Sequence, residues 1–131
     1  PDEGEETDIG WLDVGQCFDE INDKGLVEVV DCAEPHDGET VAEFYSSSSG
    51  EYPGVAALER EAERRCRKLF EKYVGAPYGD SPYNFGFWYP SRQGWVEEAN
   101  KSINCVAYAP ERDEKLTESV KNSGTGATVS G

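Results

Sequence analysis

Methionine is absent, histidine occurs once, and Leu, Ile, Val and Phe together supply only 24 of 131 residues. Basic residues are also scarce, 12 against 27 acidic ones, for a formal net charge of −15. Each shortage excludes something. Nucleic-acid binding needs clustered Lys and Arg to neutralise phosphate, so no nucleic-acid partner is expected. No apolar run reaches the roughly 18 residues of a membrane helix. The lone His36 rules out sites built on two histidines. The chain has no CxxC, P-loop, GxSxG or GxGxxG pattern. The run from Asp19 departs from an EF-hand loop, with Ile21 at a ligand position and Lys24 at the glycine position. No cofactor is expected. So few aliphatics under so large a charge is the composition of a disordered chain. Four cysteines and ten Trp or Tyr residues argue the other way, because they add bulk and crosslinks that an aliphatic count misses.

The length suits one domain. Residues 1–10 hold five acids in the first eight positions and read as an acidic disordered linker. Residues 111–131 read as a polar, largely disordered tail that ends in small uncharged residues. The folded part is expected over residues 11–110. With Pro1 at the start and no methionine, the reading leaves room for a signal peptide or anchor ahead of the chain. Any membrane association is expected only through such an anchor.

Strands are expected over residues 14–21 and 26–32, as a hairpin turned by Asn22-Asp23-Lys24-Gly25, and over residues 40–45. A helix follows over residues 53–74. Val55, Leu58, Ala62, Cys66, Leu69 and Tyr73 form its apolar stripe, Pro53 opens it, and Gly75 closes it. Further strands are expected over residues 83–89 and 101–108. The order β-β-β-α-β-β predicts an α+β fold, a small antiparallel sheet packed against one long helix.

Cys17, Cys32, Cys66 and Cys105 are even in number and widely spaced. They read as two disulfides, which implies an oxidising compartment. Three pairings are open to four cysteines. Element placement favours Cys17–Cys32 across the hairpin and Cys66–Cys105 from helix to last strand.

Several residues could carry function. Cys32, His36, Asp37 and Glu39 can be drawn as a zinc site, and Cys32 with His36 as a nucleophile pair. A disulfide at Cys32 defeats both, and His36 then reads as a loop anchor. No metal is expected. Arg60, Arg64 and Lys68 lie on the outer face of a helix with six basic and four acidic residues. That face could receive an anionic partner, or could be a solvated ridge. Residues 78–95 carry seven aromatics, most of them expected in the core. Alternation puts Phe85, Phe87 and Tyr89 on one face and Trp88 on the other. Trp95 falls in an expected loop. Trp88 and Trp95 are therefore the candidates for an exposed contact, with the loop at His36.

Three segments together resemble the septum formation family of actinobacterial envelope proteins. They are Val14-Gly15-Gln16-Cys17-Phe18-Asp19; Val30-Asp31-Cys32-Ala33-Glu34-Pro35-His36-Asp37-Gly38-Glu39; and Cys66 followed by Pro90, Trp95 and Cys105. The most specific piece is the Cys-x-x-Pro-His-x-x-Glu pattern of Cys32, Pro35, His36 and Glu39. Where the family often has Gly-Asp-Arg, this chain has Glu98-Ala99-Asn100-Lys101. The resemblance implies a membrane-anchored or secreted protein with this domain outside the cytoplasm. It implies no reaction. The expectation is a non-catalytic binding domain whose partner is a protein or cell-wall component of the envelope. The alternative is a secreted hydrolase or metal-binding domain centred on His36.

Overall fold

The computed structural model describes residues 1–124 and 129–130. Strands β1 (Glu6–Asp8), β2 (Cys17–Glu20), β3 (Leu26–Val30) and β4 (Gly38–Tyr45) precede helix α1 (Val55–Val74). Then come β5 (Asn84–Trp88), helix α2 (Arg92–Glu98), β6 (Ser102–Tyr108), β7 (Lys115–Leu116) and β8 (Val129–Ser130). The first six strands form one antiparallel sheet in the order β1-β3-β2-β4-β6-β5. The last two pair with each other. This is the expected α+β architecture, and both expected disulfides, Cys17–Cys32 and Cys66–Cys105, are closed.

Each element has a local cause. The Oδ1 of Asn22 accepts from the backbone N–H groups of Lys24 and Leu26, and Gly25 takes φ +96°, which closes the β2–β3 turn. Helix α1 starts later than residue 53, because Gly54 sits at φ +96° outside helical geometry. Gly75 caps it in the left-handed region, with its N–H on the Glu71 carbonyl. Leu58, Ala62 and Cys66 face the sheet as expected. Phe70 and Val74 extend that face, while Val55 is half exposed. Leu69 and Tyr73 are only partly buried, so the buried stripe is rotated towards Phe70, which packs on Tyr78 and Phe85.

Both sheet faces are covered. On one, Val41, Ile103, Cys105 and Ala107 meet α1. On the other, Phe18, Val27, Val29 and Val106 meet Ile9 and Leu12, with Trp88 and Tyr108 at the margin. Strand β4 lies so close to its neighbours that a Cβ on Gly38 would be 2.7 Å from the Phe18 ring of β2 and 2.9 Å from the Ala107 carbonyl oxygen of β6.

Three expectations are corrected. Residues 1–10 are not a linker: β1 pairs with β3, and Ile9 is buried. Charge did not prevent this, since Glu6 and Asp8 point to solvent while the backbone makes the ladder. Residues 111–124 are not a loose tail: Leu116 and Val120 are fully buried against α1 and β6. The rest of that expectation, at residues 125–128 and 131, lies outside the described residues. The expected loop around Trp95 is helix α2, capped by the Ser91 Oγ, which accepts from Gly94 N–H at 3.0 Å.

A buried carboxylate ties the β4–α1 connection to the helix. Glu61 accepts from the Ser46 hydroxyl at 2.6 Å, the Ser47 N–H at 2.8 Å, the Ser47 hydroxyl at 2.9 Å and Arg65 at 2.9 Å. Burial raises its pKa, but these donors outweigh burial and bring it down to about 2. A carboxyl held below its unfolded value stabilises the fold above the unfolded pKa, and that stabilisation is lost as pH falls through the folded one. The wild type is therefore expected to lose its stability advantage over Glu61→Gln between about pH 5 and pH 2. Urea midpoints of both proteins across that range check it. A gap that does not narrow on acidification would contradict the assignment.

Candidate functional site

The Cys32-to-Glu39 stretch faces inward. His36 is fully buried, and its Nδ1 lies 2.7 Å from the Glu34 carbonyl oxygen. Its backbone forms an antiparallel bridge with Leu116, N–H to O at 2.9 Å in each direction. Glu39 is also fully buried. It accepts from the Tyr73 hydroxyl, from the Ser119 hydroxyl at 2.8 Å and from the Val120 N–H at 2.8 Å. Burial, then this bond and the Glu39 charge, push the Tyr73 pKa upwards, so the phenol remains a donor. Lys115 Nζ lies 2.8 Å from Asp19 and 3.6 Å from Asp37. These residues thus clamp the segment over 115–120 onto the sheet.

The zinc set that can be drawn on the sequence, Cys32, His36, Asp37 and Glu39, does not come together among the described residues. Among the described residues, the close group is Cys17, Cys32 and Glu39, whose sulfurs and a carboxylate oxygen lie within 4.8 Å of one another. In this form the two sulfurs are bonded to each other.

The expected binding residues are scattered. Trp95 is a correction: it is buried, its Nε1 donates to the Gly50 carbonyl at 2.9 Å, and its ring meets Tyr52 edge-on. A helix turns it inward where a loop was expected. His36 is likewise too buried to touch a partner. Trp88 is half-buried, and its Nε1 donates to the Tyr108 hydroxyl at 3.4 Å. Arg60 and Arg64 are exposed and line a shallow groove of about 400 Å³ with Glu59, Glu63 and Phe87. Lys68 is exposed further along α1. Because Phe87 and Trp88 alternate across β5, the arginine groove and Trp88 belong to opposite sheet faces.

A larger opening lies where four strand ends meet. A cleft of about 450 Å³ is lined by Glu20 of β2, Asp37 before β4, Tyr108 of β6, Asn84 of β5, and Ala109, Glu111, Arg112 and Glu114. Asp37 Oδ2 accepts from the Glu20 N–H at 2.7 Å, and Asp37 N–H donates to Asp19 Oδ1 at 3.1 Å. Lost hydration, then the Asp37 charge, raises the Glu20 pKa, while the Tyr108 hydroxyl and Arg112 oppose. Burial raises the Tyr108 pKa; the Trp88 hydrogen bond works against that, and Glu20 and Asp37 add to it. The cleft therefore presents four carboxylates, one guanidinium, a carboxamide and a phenol that stays protonated. Sequence reasoning missed it because Glu20, Asp37, Asn84 and Tyr108 are far apart in the chain and share no motif.

Such a molecule is a disulfide-stapled α+β domain whose buried carboxylates Glu39 and Glu61 are spent on internal bonds, while the buried His36 Nε2 and Thr40 hydroxyl have no hydrogen-bond partner among the described residues, and whose cleft is open to solvent. The chain belongs to the septum formation family, whose model matches residues 14–129. No curated protein and no solved structure matches it. The family match takes in the clamped segment and strands β2 to β6, and begins after β1.

Proposed function

We propose that this is a non-catalytic interaction domain of a membrane-anchored or secreted cell-envelope protein. On this reading it works outside the cytoplasm, in keeping with the septum formation family and with two disulfides, and its partner is a protein or cell-wall component. The observation that carries the reading is the division of labour among polar residues. The cysteines, His36, Glu39 and Glu61 hold the fold together. In the cleft, by contrast, the Glu20, Glu111 and Arg112 side chains are exposed to solvent. Recognition moves there from Trp95 and His36, with Trp88 supporting Tyr108 from behind.

The test is cosedimentation of the domain with isolated wall sacculi, alongside crosslinking to envelope proteins. The wild type is expected to associate with one of the two. A variant carrying Glu20→Gln, Glu111→Gln and Arg112→Ala is expected to lose roughly tenfold or more in affinity, as when central interface residues are removed. Equal binding by the variant would remove the cleft from the proposal. A wild type that binds neither fraction would remove the interaction reading.

One observation favours the hydrolytic alternative, and it moves that reading away from His36. Glu20 has a raised pKa beside a second carboxylate in a cleft, the environment of a general acid. Asp37 is engaged by the Glu20 N–H and Lys115, which fits an orienting role. Release of sugar or peptide fragments from sacculi by the wild type but not by Glu20→Gln would make this the better reading.

A further inference from the structure

The Cys17–Cys32 disulfide has a neighbour that does not help to hold it closed. The Glu39 carboxylate is fully buried, and one of its oxygens lies within 4.8 Å of both sulfurs. Tyr73, Ser119 and the Val120 N–H already fix its orientation. We propose that Cys17, Cys32 and Glu39 are a zinc site whenever this disulfide is reduced, so that one triad has a crosslinked state and a metal-bound state.

The argument is one of charge and ligand type. With the sulfurs joined, the only anion in the group is Glu39. Opening the bond adds two ionisable thiols to a space already occupied by a buried carboxylate. Three neighbouring anions there repel one another, and a divalent cation at their centre replaces that repulsion with attraction. Two sulfurs and one oxygen are the donor set of zinc rather than of calcium or magnesium. A carboxylate oriented by hydrogen bonds is what a metal ligand requires, and here Tyr73, Ser119 and Val120 supply them. Cys32 is only half-buried, whereas Cys17 is buried, so both reductant and metal reach the triad from the Cys32 side. A water molecule completes the fourth position from that side.

The chemistry balances with a small dithiol as reductant. Its first thiolate attacks the Cys32 sulfur and expels the Cys17 sulfur. Its second thiol displaces Cys32 and leaves as a cyclic disulfide, so two electrons and two protons pass to the protein. Zinc then binds both sulfurs as thiolates and releases the two protons to solvent. Cys66 and Cys105 differ: both are fully buried, and among the described residues no carboxylate or imidazole clusters with them.

The test uses the whole chain, excess dithiol under native conditions, removal of the reductant without air, and zinc competition against a chromophoric chelator. Alkylation mapping reports which cysteines opened. One zinc per chain is expected after reduction and none before it. Cobalt in place of zinc is expected to give thiolate-to-metal charge transfer. Cys17→Ser with Cys32→Ser is expected to abolish binding. Ser119→Ala, at an exposed position that need not disturb folding, is expected to weaken it roughly tenfold through the loosened carboxylate. A bond that stays closed in excess dithiol overturns the proposal. So does a reduced protein that retains no zinc, or equal retention by the double serine variant.

Discussion

Replacing Cys66 and Cys105 together by alanine is expected to cost roughly 3–4 kcal/mol from chain entropy alone, because the bridge closes a long loop in the unfolded state. The two residues are 39 apart in sequence, one at the middle of α1's buried face and one in β6. Both are fully buried, so each alanine also removes a sulfur from the packed layer between helix and sheet. A domain of this size has about 5–15 kcal/mol in hand, and this one has few aliphatic side chains with which to replace the loss. Urea unfolding is expected to shift to a midpoint about 2 M lower, taking m near 1.5–2 kcal/mol/M. An unchanged midpoint would mean that Leu58, Phe70 and Ile103 hold helix to sheet without the bridge. The Cys17–Cys32 bridge spans only 15 residues and joins segments flanking the paired strands β2 and β3, so its loss is expected to cost less.

That contrast was only partly legible in the sequence: three pairings were open, and the one favoured by where the cysteines fell on regular elements is the one the structure forms. Cys17 opens β2 and Cys32 follows β3, at the open end of their hairpin, and Cys66 lies on an apolar stripe of helical period. Strands with alternating or β-branched residues, such as β3 and β6, announced themselves in the same way. What stayed hidden lacks periodicity. Strand β1 is three residues long, and two of them are acids. Helix α2 holds Trp95 beside an exposed Val96, too short a pattern to distinguish from a loop. Glu61 sits on the buried side of α1, where an acid is not expected, and the serines of the preceding connection, with Arg65, explain it. Leu116 and Val120 are isolated apolar residues in a polar stretch, and their burial depends on partners about 80 residues earlier. The cleft was illegible for a related reason: the fold joins the ends of β2 and β6 and the residue before β4, and no local pattern encodes that meeting.

The Cys-x-x-Pro-His-x-x-Glu pattern was legible as a motif but not as a clamp, and Glu39 is where the difference can be measured. In Glu39→Ala, the Tyr73 hydroxyl and the Val120 N–H lose their acceptor inside the protein, and each unsatisfied buried donor costs about 1–3 kcal/mol. The cavity left by the side chain adds to that. A total of about 3–4 kcal/mol is expected, but not spread evenly. Strands β2, β4 and β6 keep their own ladder, whereas the segment over 115–120 loses its main side-chain attachment and retains the His36–Leu116 bridge and the Lys115 ion pairs. Hydrogen exchange should therefore accelerate first at residues 115–124, with the β4–β6 amides still protected. Limited proteolysis should cut the same stretch. Uniform loss of protection across the sheet would make Glu39 a support of the whole core. No change at residues 115–124 would leave the clamp without a physical basis, and the burial of Leu116 and Val120 would then rest on apolar contacts alone.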